Sequence, residues 1–108
     1  MKYVDSHSHW SDSRLFLHPQ RDSLLQKSLD KQIDFFLNGG VNPVEWLNQI
    51  ELCKLYPKNF GLCFGLHPYF VSENTYEDCE TALDQLVHLL PQAMALGEAG
   101  LDFRPHIM

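Results

Sequence analysis

Val4-Asp5-Ser6-His7-Ser8-His9 is the stretch on which the reading of this chain turns. A short apolar lead runs into two histidines one residue apart. On an extended backbone alternate side chains share a face, so a His-x-His at a strand end aims two imidazoles at one point. Converging imidazoles are natural ligands for Zn²⁺, Fe or Mn²⁺. Asp5 lies two residues before His7, on the same face, where its carboxylate is placed for a second-shell hydrogen bond. Taken alone, the pair reads more readily as ordinary surface histidines after a strand. The question is whether the rest of the chain repeats the layout.

Three further apolar runs end in chemically distinctive residues. Ile33 to Leu37 closes on Asn38-Gly39-Gly40, Phe60 to Leu66 meets His67-Pro68, and Gln92 to Gly97 is followed by Glu98. Helical segments alternate with these runs. One covers about Asp22 to Lys31, with Leu24, Leu25, Ser28 and Leu29 at helical spacing. A second starts at Asn42-Pro43, an N-cap followed by proline at the first helical position, and ends at Tyr56-Pro57. Its core stripe reads Trp46, Leu47, Ile50, Cys53 and Leu55. A third runs from Tyr76 to Leu90 with Leu83, Leu86, Val87 and Leu90 as its apolar face. Buried strands alternating with amphipathic helices predict an α/β fold with a parallel sheet and right-handed crossovers. In such folds ligands bind at the C-terminal strand edge. That edge receives His7 and His9, Gly39-Gly40, His67 and Glu98. Trp10 to Pro19 reads as a long loop over the mouth of the site. His18 and His88 read as loop and helix-surface residues.

Length and composition bound what such a site can do. The 108 residues make at most one domain, or part of one, and 44% hydrophobic with 20% charged residues is a globular composition. A net charge of −6 argues against a free-standing nucleic-acid binder, yet not against an enzyme on phosphate esters, because bound cations reverse the local sign. No apolar run approaches the ~20 residues of a membrane span, and the N-terminus lacks the apolar core of a signal peptide. The three scattered cysteines, Cys53, Cys63 and Cys79, read as reduced thiols of a cytoplasmic protein. Two histidines and a carboxylate suit Zn²⁺, Mn²⁺, Fe or Co, and with more oxygen ligands Mg²⁺, which points to metal-assisted hydrolysis.

Asp5-Ser6-His7-Ser8-His9, Gly65-Leu66-His67-Pro68 and Gly97-Glu98-Ala99-Gly100-Leu101-Asp102 together resemble the TatD-type metal-dependent hydrolases of the amidohydrolase superfamily. The motifs stand in that family's order, and the Gly-Glu-x-Gly-Leu-Asp element is the most specific. The resemblance implies a TIM-type (β/α)₈ barrel with one or two divalent ions (Zn, Mg or Mn) at the C-terminal strand ends. It implies a DNase-like activity on nucleic acid or a small phosphoester. By resemblance His7, His9 and Glu98 are metal ligands, His67 binds substrate, and Asp5 and Asp102 support the ligands.

A (β/α)₈ barrel needs roughly 250 residues. Residues 1–108 are therefore expected to form its N-terminal half, an incomplete barrel of four strands. Two later histidines and the catalytic aspartate of the family have no counterpart after Glu98, and His106 follows too closely to be the next strand's ligand. Open sheet edges predict self-association or pairing with a missing C-terminal half. Two alternatives remain open: a non-catalytic half barrel that binds metal or a partner chain, and a PHP-type phosphoesterase, suggested by His7-Ser8-His9-Trp10-Ser11-Asp12.

Overall fold

The computed structural model describes residues 2–100. Strand β1 (Tyr3–Ser8) leads through the short helix α1 (Ser13–Phe16) to α2 (Arg21–Asp30). Then follow β2 (Ile33–Asn38), α3 (Pro43–Leu55), β3 (Phe60–Gly61) and β4 (Cys63–Phe64). The chain continues through α4 (Pro68–Glu73), α5 (Tyr76–Leu89), a 3₁₀ turn (Leu90–Gln92) and β5 (Ala95–Leu96). Every strand pair is parallel, in the orders β1-β2-β3 and β4-β5. A bridge between Gly40 and Phe64 joins the two ladders, with the Gly40 N–H donating to the Cys63 carbonyl at 3.2 Å. The strands therefore lie side by side in chain order, as the α/β alternation requires.

The run Phe60 to Leu66, expected as one strand, is two. It breaks at Leu62, whose carbonyl accepts from the backbone N–H groups of Met94 at 2.8 Å and Ala95 at 3.3 Å. The backbone changes partners there, β3 pairing with β2 and β4 with β5. The buried amide of Gln49 fills the gap beside β4. Its Oε1 accepts from the Cys63 N–H at 2.8 Å and its Nε2 donates to the Cys63 carbonyl at 2.5 Å. A helix side chain thus does what a neighbouring strand would do for Cys63.

Two hydrophobic clusters lie between sheet and helices. One gathers Trp10, Leu25, Phe36, Leu52 and Phe60. The other gathers Trp46, Phe64, Leu66, Ala82 and Leu86. Asn42 caps α3 as expected, its Oδ1 accepting from the Glu45 N–H at 3.0 Å, with Pro43 opening the helix. The α3 stripe is rotated from the expected one. Trp46, Gln49 and Leu52 are buried, whereas Leu47 and Leu55 are 57% and 52% exposed. On α5 the buried residues are Ala82 and Leu86, and Leu83 and Val87 remain exposed. In both helices a small or amide side chain, Ala82 or Gln49, takes a buried position that hydropathy alone assigns to leucine or valine.

Trp10 is also corrected. It is buried against Phe36 and Phe60, at ring-centroid distances of 5.4 and 6.4 Å, rather than lying over the mouth of a site. Across the sheet, Phe35, Leu37 and the exposed Met94 converge on Gly61, where an added Cβ would come within 3.2 Å of each. Among the described residues no helix is long and apolar enough to cross a membrane.

Gln49→Ala strips Cys63 of one backbone partner outright and weakens the other, so it should destabilise the chain by about 2 kcal/mol. A urea titration with an unchanged slope and a lowered midpoint checks this. An unchanged midpoint would show that the Gln49 amide is dispensable.

Candidate metal centre

The turn that carries His9 is pinned from below. Asn38, at the end of β2, accepts the Trp10 backbone N–H through Oδ1 at 3.0 Å, and the Ser8 hydroxyl lies 3.2 Å from the same oxygen. Asp5 acts on backbone: its Oδ1 accepts the N–H of His7 at 3.1 Å. Its carboxylate holds the strand end that presents His7 and makes no bond to the imidazole.

His7, His9 and Glu98 converge from opposite ends of the described chain. His7 Nε2 lies 3.2 Å from Glu98 Oε1, and the two imidazoles stand edge to face with centroids 4.9 Å apart. One ligand atom from each residue falls within 4.8 Å of the others, the one such group among the described residues. Ligands bonded to one ion at about 2.1 Å stand roughly 3–4 Å apart, so a small rotamer adjustment suffices for a metal. The N, N, O donor set suits a borderline divalent cation.

Two glycines permit this convergence. A Cβ on Gly39 would come within 3.3 Å of both Glu98 Cγ and His9 Cε1. A Cβ on Gly65 would run into the Gly97–Glu98 backbone, 2.5 Å from the Gly97 carbonyl carbon. The end of β4 can lie under Glu98 only where it carries no side chain, and a Cβ at the end of β2 would press on the Glu98 and His9 side chains.

His67 is the N-cap of α4 and lines a cleft of about 390 Å³ together with His9, Asp12, Glu45, Tyr69 and Glu98. Its Nδ1 accepts the Tyr69 N–H at 3.0 Å. That bond requires an unprotonated Nδ1, so the neutral ring carries its proton on Nε2. His67 shares the cleft with the cluster and does not belong to the three-ligand group. Asp102 and His106 lie outside the described residues.

Glu45 is the cleft residue that sequence reasoning missed. It is 6% exposed. Oε2 accepts from Asn42 Nδ2 at 3.2 Å, while Oε1 is buried with no hydrogen-bond partner among the described residues. Burial, reinforced by the nearby carboxylates of Asp12 and Glu98, pushes its carboxyl up to about 7. Asp12 goes the other way, because the Arg14 guanidinium bonded to it at 2.8 Å holds it below the usual carboxylate range. The spacing Asn42-x-x-Glu45 is legible as a capping arrangement. That the capped end abuts the cleft is a tertiary fact.

A family model described as TatD related DNase matches residues 4–107. The 3'-5' ssDNA/RNA exonuclease TatD of Erwinia tasmaniensis is 31% identical over 83 residues, 77% of this chain and 31% of that protein. The protein of the same description from Erwinia billingiae is 33% identical over 90 residues, 81% of this chain and 33% of the relative. The chain thus spans about a third of the length of the curated relatives it matches.

The raised carboxyl of Glu45 fixes the sign of a pH effect. Between about 4.5 and 7 the folded chain keeps this proton while the unfolded chain loses it, so stability falls as pH rises through that window. Glu45→Gln should remove a loss of roughly 3 kcal/mol and leave the variant the more stable form at pH 8. Urea unfolding of both proteins from pH 4.5 to 8 checks it. Parallel profiles would contradict the raised carboxyl.

Proposed function

The chain belongs to the TatD-related DNase family, and from that premise we propose that it works as a metal-dependent hydrolase of phosphodiesters in single-stranded nucleic acid. The observation that carries this reading is the convergence of His7, His9 and Glu98 at one strand edge. These three would hold one or two divalent ions, Zn²⁺, Mg²⁺ or Mn²⁺. Such an ion would supply positive charge at the phosphate and lower the pKa of water at the site.

The remaining work belongs to the chain's own residues. His67, with its proton on Nε2, donates to a phosphate oxygen of the substrate. Asp5 fixes the backbone at His7. The described residues make the first part of a TIM-type barrel, and this protein works in the cytoplasm. The catalytic aspartate comes, by resemblance to the family, from a later strand. Among the described residues β1 and β5 each pair on one side only, so their free edges take further strands, by self-association or from a C-terminal half. A non-catalytic half barrel that binds metal or a partner chain is the second reading. The PHP-type reading lacks support beside a TatD-related match over residues 4–107.

Hydrolysis of a single-stranded oligonucleotide with added Mg²⁺, Mn²⁺ or Zn²⁺ tests the proposal, with His7→Ala/Glu98→Ala as control. Metal-dependent cleavage that the double variant lacks is expected. Calorimetry should show Mn²⁺ binding that weakens at least about tenfold in the variant. Metal binding without cleavage would select the non-catalytic reading, and absence of both would overturn the metal site. Light scattering at micromolar concentration should report an oligomer; a monodisperse monomer would remove self-association.

A further inference from the structure

Arg14 is the one arginine or lysine among the described residues that line the cleft, and the other ionisable walls include the carboxyl groups of Asp12, Glu45, Glu73 and Glu98. It comes from the segment after β1. Asp12 caps α1 and holds the guanidinium by one edge: Nε donates to Oδ1 at 3.0 Å and Nη2 to Oδ2 at 2.8 Å. Asp12 Oδ1 also accepts the Arg14 backbone N–H at 2.9 Å, and the Asp12 N–H donates to the His9 carbonyl at 3.0 Å. The fork is therefore tied to the turn that carries His9. The Arg14 side chain is nevertheless 92% exposed. A solvated arginine ordinarily samples many rotamers, whereas this one is held in place by a local partner. Its bonds occupy the Nε–Nη2 edge, and the edge made by the two Nη groups has no partner among the described residues.

We propose that Arg14 is a substrate-binding residue whose free Nη edge takes a phosphate adjoining the one held at the His7-His9-Glu98 cluster. This rests on the nucleic-acid reading given above. Two parallel N–H groups match a pair of phosphate oxygens, and an edge fixed beforehand loses little freedom on binding. A charge at the cluster acts mainly on the phosphate beside it, because water and salt screen it at longer range. A second phosphate among so many carboxyl groups needs a cation of its own. The surface has room for it: a second hollow, lined by His9, Asp12, Arg14 and Leu15, shares its first three residues with the cleft, so Arg14 stands where the two adjoin. A strand running from one to the other passes its guanidinium.

Nucleotides without a diester separate this inference from hydrolysis. With Mn²⁺ present, the full chain is titrated calorimetrically with thymidine 5'-monophosphate and with thymidine 3',5'-bisphosphate. The bisphosphate should bind at least about fivefold more tightly. In Arg14→Gln the two should bind alike. Lys58→Gln removes one exposed positive charge from the loop before β3, at the opposite strand edge, and should keep the preference. Equal affinities in the unaltered chain, or a preference that survives in Arg14→Gln, would overturn the assignment and leave the nucleic-acid reading intact. A preference lost equally in Lys58→Gln would trace it to net charge and overturn the assignment as well. Failure of both nucleotides to bind would overturn that reading and this inference together. Circular dichroism reports whether Arg14→Gln folds. If it does not, Arg14→Lys, which keeps the charge and loses the paired edge, takes its place and should lose most of the preference; full retention would overturn the role of the fork.

Discussion

The arrangement depends on the close approach of strand ends beneath Glu98. A histidine pair after β1 is local, since two residues of one strand deliver it. A carboxylate from the far end of the described chain reaches that pair only if the intervening strands leave room. Gly39 and Gly65 leave it, one in van der Waals contact distance of Glu98 and His9, the other under the Gly97–Glu98 backbone. Substituting either would press a methyl group into side-chain or backbone atoms that have nowhere to move without disturbing the ligands. The parallel sheet supplies the frame, and the glycines convert adjacency of strands into adjacency of donors.

The electrostatics of the cleft follow from that closeness. Among the described residues Asp12, Glu45 and Glu98 line one cleft with Arg14, whose guanidinium Asp12 engages. Crowded carboxyl groups settle unequally: the one with the strongest cation neighbour stays ionised, and the buried one holds its proton longer. Asp12 and Glu45 divide in this way. A divalent cation beside Glu98 would relieve the same crowding, so the chain's net charge of −6 does not oppose the proposed phosphodiester substrate. The overall charge says little here, because the local sign at the site is set by what the site holds.

The order of strands and helices was legible in the sequence because burial period and capping are local. Asn42-Pro43 announced α3, and apolar runs announced β2 and the β3–β4 stretch. The three cluster residues were legible because each sits at a strand end, where parallel α/β folds gather function. The α3 stripe was not legible: hydropathy ranks Leu47 above Gln49, whereas packing favours the amide that pairs with both backbone groups of Cys63. Trp10 misled in a similar way. An aromatic next to a histidine pair suggests a lid, but its backbone N–H is tied to Asn38 and its ring completes a core cluster. Glu45 was hidden because its local role as a capping partner fully accounts for its position in sequence.

The distribution of unsatisfied polarity separates structural from functional needs in this chain. Gln49 shows that a buried amide deep in the fold is fully paired. Among the described residues the buried side-chain atoms left without partners are Ser11 Oγ, Asn38 Nδ2 and Glu45 Oε1. Ser11 follows β1, Asn38 ends β2, and Glu45 lies in the first turn of α3, so all three stand at the C-terminal edge of the sheet. A fold optimised only for stability would have paired or replaced them, since each carries a desolvation cost with no return. Their confinement to the edge where His7, His9 and Glu98 meet is what is expected if that edge is completed by something other than these residues.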